Sequence, residues 1–279
     1  NTGAMVVSFD YSDAVDANYR SNGMHPNLLL VQADLCWNDP PANRDRIGQI
    51  IAAHAGSFDL AVLPETFTTG FLGDEGVEDE GMDGPTVAWM RDAARAHGGL
   101  VAGSLVIVEN GHRYNRFLVV GGEGVLARYD KRHLFSYGGE DDHYTAGSER
   151  VVFRLGDWRV NLQLCYDLRF PVWCRNRNDY DLVLLVANWP ARRIHHWSSL
   201  LEARAIENQA YVVGVNRVGR DGKGLEYPGC SVVHGPMGET VLRLGDEETA
   251  QRVDLSLSAV HAARERFPFQ ADADLFDLQ

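Results

Sequence analysis

From Asn27 onward two rhythms alternate along the chain. Short runs rich in Val and Leu are separated by stretches in which apolar residues recur every three or four positions. The short runs read as strands with both faces covered, and the second spacing lays an apolar stripe along one side of a helix. The pattern predicts strands at 28–32, 60–63, 100–108, 116–120, 125–129, 151–154, 160–165, 182–187, 211–216, 231–233, 240–244 and 252–255. It predicts helices at 41–54 and 86–97, where Ile47, Ile50 and Ile51, then Val87, Met90, Ala93 and Ala94, share a face, and at 196–209 and 258–266. Segment 135–147 has Gly138, Gly139 and several acidic or histidine side chains but no apolar period, so it is expected to be a loop. Such alternation makes a layered α/β domain. No Pro/Gly/Ser linker and no internal repeat divides the chain, so one domain is expected over 26–279. Residues 1–25 precede the periodic structure and are expected to be a leader or flexible arm, native or appended.

Three strand exits carry candidate chemistry. The buried-looking run before Leu63-Pro64-Glu65-Thr66 is halted by a proline and delivers a carboxylate where α/β folds build sites. The run through Tyr129 ends on Lys131 among aromatic and apolar neighbours, and an ammonium there is a compact electrophilic charge. The run from Trp158 ends on Cys165, followed by Tyr166-Asp167-Leu168-Arg169-Phe170-Pro171, so a thiol sits at a strand-to-helix turn. Backbone N–H groups in such a turn lower a thiol pKa and bind a developing oxyanion. Each segment has a bland alternative: a solvated turn glutamate, a lysine snorkelling to solvent, a cysteine acting as a small buried hydrophobe.

Composition narrows the field. The formal charge of −13, from 26 basic and 39 acidic side chains, gives no footprint for nucleic acid or anionic lipid, although a few local cations in a pocket can still receive an anionic small molecule. Four scattered cysteines without a C-x-x-C pair read as reduced thiols and point to a cytoplasmic setting. No apolar run approaches the roughly 20 residues of a membrane span, so no membrane partner is expected. His195-His196 and Asp141-Asp142-His143 offer no metal-ligand spacing, and no metal is expected.

In combination and in this order, Leu63-Pro64-Glu65-Thr66, Asp130-Lys131-Arg132-His133-Leu134-Phe135 and the Cys165 motif resemble the nitrilase superfamily of carbon-nitrogen hydrolases. Gly84-Pro85-Thr86, Ala187-Asn188-Trp189-Pro190, Arg204 through Gln209, and Asn216-Arg217 match as well, over nearly all of the chain from Asn27. The resemblance implies a four-layer α-β-β-α sandwich, assembly into a homodimer or larger homo-oligomer, and a cofactor-free Glu65-Lys131-Cys165 triad working through a thioester. It places Glu140, seven residues before Gly147, as an auxiliary carboxylate beside the triad. By analogy Phe71, Tyr166 and Trp189 wall the substrate pocket, and the Tyr166 N–H joins Lys131 in holding the oxyanion. Asp167 and Arg169 are expected to pair with each other, the alternative being that Arg169 meets a substrate carboxylate. Within the superfamily the chain most resembles the ω-amidase-like branch, whose substrates are small amides such as 2-oxoglutaramate or 2-oxosuccinamate. Other branches act on nitriles, N-carbamoyl compounds or deaminated glutathione with the same triad, and a non-catalytic interaction protein or a metal-dependent hydrolase are readings of a different class.

Overall fold

Along the first strand Leu28 and Leu30 point one way, Leu29 and Val31 the other, and all four are fully buried. A strand covered on both faces must lie between two layers, and that requirement organises the rest of the molecule. The computed structural model describes residues 25–71 and 80–277, so all but the last residue of the expected leader lies outside the described residues.

In chain order the strands are β1 (Asn27–Gln32), β2 (Leu60–Val62), β3 (Leu100–Glu109), β4 (His112–Gly121), β5 (Gly124–Asp130), β6 (Val152–Leu155), β7 (Trp158–Leu164), β8 (Leu182–Ala187), β9 (Tyr211–Asn216), β10 (Val218–Arg220), β11 (Glu226–Pro228), β12 (Val232–His234), β13 (Thr240–Arg243) and β14 (Thr249–Asp254). The α-helices are α1 (Pro40–Ala52), α2 (Pro85–His97), α3 (Pro171–Cys174), α4 (Ile194–Asn208) and α5 (Leu257–Arg266). Two six-stranded sheets form, in the orders β14-β1-β2-β3-β4-β5 and β13-β12-β9-β8-β7-β6. Each has a parallel centre, β1-β2-β3 in one and β7-β8-β9 in the other, flanked by antiparallel strands.

Three apolar clusters show the layering. Leu28, Leu30, Val62 and Phe117 of the first sheet meet Leu162, Leu164, Leu184 and Val213 of the second in a shared middle core. On the outer face of the first sheet Leu29, Val31 and Leu118 pack on Ile47, Ile51 and Met90 of the α1 and α2 layer. On the outer face of the second, Val183, Leu185 and Val212 pack on Trp197, Leu201 and Ala205 of α4. The result is the expected α-β-β-α sandwich. Helix ends follow sequence cues: Pro40 opens α1 behind Asp39, whose side chain accepts from Ala42 N, and α2 closes on Gly98 in the left-handed region at φ 72°.

Where expectation and structure differ, the cause is local. The strand expected at 160–165 stops at Leu164, because Cys165 turns to φ 40°. The polar start of β4 escapes an apolar-period reading, since its first three residues are not buried. Segment 135–147 is not featureless: it holds short 3-10 turns at Ser136–Gly138 and Glu140–Asp142. The ribbon β10-β11 is too short to leave a period at all.

One buried side chain fastens the sheets to each other beside the site. Gln32, fully buried at the end of β1, donates to the carbonyls of Gly245 (3.0 Å) and Glu247 (2.8 Å) and accepts from Ser231 N (3.0 Å) and Ser231 Oγ (2.8 Å). Ser231 Oγ in turn accepts from Asn216 N (3.0 Å) at the end of β9. Replacing Gln32 by Leu leaves the buried Ser231 N–H without its acceptor, so Gln32→Leu should cost about 2 kcal/mol, read as a lowered urea midpoint. An unchanged midpoint would mean the sheets are held by apolar contact alone.

Candidate active site

Glu65 stands three residues past β2, Lys131 one past β5, Cys165 one past β7 and Asn188 one past β8, and all four come together at one end of the sandwich. Local backbone directs them. Leu63 N still donates to Ala102 O (2.7 Å), Pro64 halts the ladder, and Thr66 at φ 40°, held by Ser104 Oγ (2.7 Å from Thr66 N), bends the chain so that Glu65 faces inward. Cys165 adopts the same left-handed φ of 40°, a strained setting for a non-glycine residue that lifts its side chain off the strand.

The Lys131 ammonium lies between two carboxylates. It donates to Glu65 Oε1 (2.9 Å) and to both oxygens of Glu140 (2.9 and 2.8 Å), and all three side chains are sealed from solvent. Asn115 Nδ2 bridges the carboxylates, 2.9 Å from Glu65 Oε1 and 3.2 Å from Glu140 Oε1. Glu65 Oε2 accepts from Asn188 N (2.8 Å), and Glu140 Oε2 from Phe135 N (2.6 Å). Burial therefore removes the solvated-turn alternative for Glu65 and the snorkelling one for Lys131, and shows that Glu140 is not a solvated loop acid.

The electrostatics follow from that enclosure. Burial alone would depress the Lys131 ammonium, but Glu140, Glu65 and the Cys165 sulfur outweigh it and hold its pKa well above the ordinary lysine value. Burial and the charge of Glu65 push the Glu140 carboxyl up, against the pull of Lys131. Burial, the charge of Glu65 and a hydrogen bond to it hold the Cys165 thiol well above the ordinary range, with Lys131 pulling the other way. The expectation of a thiol acidified by its turn is thus reversed. The resting sulfur keeps its proton and points it at a carboxylate.

Asp167 also departs from expectation. Instead of pairing with Arg169 it is fully buried and accepts from Tyr129 OH (2.6 Å), Leu164 N (2.9 Å), His133 N (3.1 Å) and His133 Nδ1 (2.8 Å). Four donors from two strand ends leave it no room for a guanidinium. Arg169 lies 4.8 Å over the Trp189 ring, and its Nη2 donates to His196 Nδ1 (3.2 Å).

A cavity of about 190 Å³ opens onto this cluster. Lys131 and Cys165 border it, as do Phe71, Tyr166, Arg169 and Trp189 from the sequence reading. The reading missed Asn115, Asn188, Arg192, Arg193 and Tyr227. Asn188 had a visible signal, being the first residue after an all-apolar strand. Asn115 had none, since a lone asparagine inside β4 shows no position relative to Lys131.

Comparison with known proteins fits this geometry. The sequence profile of the family described as carbon-nitrogen hydrolase matches residues 28–265. The chain is 47% identical over 253 residues to the omega-amidase YafV of Escherichia coli, covering 90% of this chain and 98% of that protein. It is 34% identical over 248 residues to the 2-oxoglutaramate amidase of Bacillus subtilis, covering 86% of this chain and 95% of that protein. A crystal structure of a CN-hydrolase superfamily protein from Xanthomonas campestris, with an arsenic adduct in its active site, superposes with a TM-score of 0.89 at 44% identity, covering 91% of this chain and 99% of that one.

The raised thiol pKa gives a test. Alkylation of Cys165 by iodoacetamide, followed by peptide mass spectrometry, should keep accelerating at pH values where an ordinary thiol has levelled off. Because the anion of Glu65 raises that pKa, Glu65→Gln should move the alkylation midpoint to lower pH. A midpoint that stays put would separate Glu65 from the sulfur.

Proposed function

The chain belongs to the carbon-nitrogen hydrolase family, and we propose that it is an amidohydrolase of the omega-amidase type, in which Cys165, Glu65 and Lys131 release ammonia from the terminal amide of a short α-keto dicarboxylic acid such as 2-oxoglutaramate or 2-oxosuccinamate. The observation that carries the reading is the Lys131 ammonium, bridged to Glu65 and Glu140 at the floor of a small cavity bordered by Cys165. The names of the 47% and 34% identical relatives support the substrate.

The chemistry follows from the proton inventory. Glu65 takes the thiol proton as the sulfur attacks the amide carbon, so charge never has to appear on an isolated buried sulfur. The carbonyl oxygen becomes an oxyanion held by Lys131 and by the N–H of Tyr166, each donor worth about 3 kcal/mol of barrier. Collapse breaks the C–N bond, and Glu65 returns its proton to the departing nitrogen as ammonia. A thioester remains on Cys165. Water then loses a proton to Glu65 and attacks the thioester carbon, the acid leaves, and the proton returns to sulfur. Glu140 keeps Lys131 charged and in place throughout, and Phe71, Tyr166 and Trp189 wall the acyl chain.

Two further expectations belong to this reading. The exposed apolar side chains Val172 (52%) and Phe269 (53%), beside one shallow groove, support assembly into a homodimer or larger homo-oligomer through a helical face. A nucleophilic thiol, with all four cysteines unpaired, suits a cytoplasmic setting.

Acid quench during turnover of 2-oxoglutaramate should trap an acyl adduct on Cys165 by mass spectrometry. Cys165→Ala should be inactive, and Lys131→Met should lose about 100- to 1,000-fold in kcat. Activity should survive a strong chelator and vanish with a thiol alkylator. Turnover by Cys165→Ala, or an adduct on another residue, would end the assignment.

A further inference from the structure

Three arginines, Arg169, Arg192 and Arg193, border the cavity of a chain whose net charge is −13. Arg192 is exposed. Arg169 is engaged by the Trp189 ring and His196. Arg193 differs from both: it is half-buried, its guanidinium lies 5.2 Å over the ring of Phe135, and no described residue forms an ion pair or hydrogen bond with that guanidinium. The one described acid bordering the cavity mouth is occupied. Asp221 Oδ1 accepts from Lys223 N and Leu225 N (both 2.9 Å), and its Oδ2 from Tyr227 OH (2.9 Å).

The surroundings of Arg193 make its charge costly. Burial, Arg192 and Arg169 all lower its pKa, while the Cys165 sulfur and Tyr227 raise it. It lines the same cavity as Cys165, and it lies among like charges. Helix α4, 15 residues long, begins at the next residue without a side-chain cap and adds the positive end of its dipole. Like charges gathered and half-desolvated, with no counter-ion paired to them among the described residues, are stabilised when an anion arrives.

We propose that Arg193 receives the carboxylate at the far end of the substrate, through paired N–H donors, while the amide end reaches Cys165. The assignment rests on the amidase reading above and adds to it the residue that selects acidic over neutral amides. Phe135 sets the distance between the two ends: its backbone N–H is bonded to Glu140 at the floor (2.6 Å), and its ring supports Arg193 at the mouth. Arg169 and Arg192 contribute field but not the fork.

The test compares two amides of equal length, glutaramate, which carries a terminal carboxylate, and neutral valeramide, on the full chain. The wild type should prefer the acidic amide, and Arg193→Gln should reduce the ratio of the two kcat/KM values about 30- to 100-fold. Arg193→Lys should recover part of that ratio, since the charge returns without the fork. Arg192→Gln should move the ratio much less. A ratio unchanged in Arg193→Gln, including one where both substrates slow equally through misfolding, overturns the assignment, as does an equal loss of preference in Arg192→Gln. If the wild type turns over neither amide, nor 2-oxoglutaramate, and forms no Cys165 adduct, the amidase reading fails first and takes this one with it.

Discussion

The site depends on one ammonium held by two carboxylates out of reach of water. An ion pair sealed in this way does not by itself stabilise a fold, because desolvation cancels much of the attraction. What it does is make every neighbour obligatory. Glu65 and Glu140 together carry one more charge than Lys131 returns, so their remaining lone pairs must be met by neutral donors, and Asn115, Asn188 and the Phe135 N–H meet them. Those donors come from β4, the end of β8 and the loop after β5. Removing the ammonium would leave two buried carboxylates without a counter-charge, at a cost of about 3–5 kcal/mol. Geometry and electrostatics are thus one constraint, and the sandwich brings both sheets to the same point to satisfy it.

Asp167 does for Cys165 what Glu140 does for the lysine. Its four donors belong to β5 and the segment just beyond it (Tyr129, His133) and to the end of β7 (Leu164), so the turn carrying Cys165 is tied to the strand carrying Lys131 rather than to its own neighbour Arg169. His133 is further held by stacking on Phe170, 3.7 Å between ring centroids. Tyr129 also accepts from Trp173 Nε1 (3.1 Å) in α3, which anchors the far side of the turn. The strained φ at Cys165 persists because these contacts over-determine it. A parallel chain of bonds, from Gln32 through Ser231 to Asn216, reaches the backbone of Trp189, whose N–H donates to Asn216 Oδ1 (2.7 Å). The cavity wall and the cavity floor are therefore fixed from opposite sheets.

Much of this was legible before coordinates, and the reason is period. Strands buried on both faces write continuous apolar runs, and β8 and β9 match their expected bounds at 182–187 and 211–216. Strand exits stand out because the chain leaves the core there, which is how Glu65, Lys131 and Cys165 could be read together with their motifs. Pairing across the chain leaves no such mark. Asn115 and Glu140 meet Lys131 through tertiary packing, and Asp167 finds Tyr129 thirty-eight positions away rather than Arg169 two away. The direction of the Cys165 shift was misread for the same reason: a turn's N–H groups can be inferred from sequence, but the depth of burial and the carboxylate beside the sulfur cannot.

Charge along the cavity adds a final step. At rest the floor holds two carboxylates, one ammonium and a neutral thiol, and so leans negative, while the mouth carries Arg169, Arg192 and Arg193. A molecule with an amide at one end and a carboxylate at the other meets a field that repels its anion from the floor and attracts it to the mouth. The reverse orientation would press a carboxylate against Glu65 and Glu140 in a medium that screens poorly. Orientation is then settled by charge before any contact is tight. In the proposed reaction the protonated thiol serves the same end, since a resting thiolate would add a further negative charge to the floor beside the carboxylate assigned to accept its proton. Holding the proton on sulfur until an amide carbon is within reach couples nucleophile formation to correct docking, which a pre-ionised cysteine could not do.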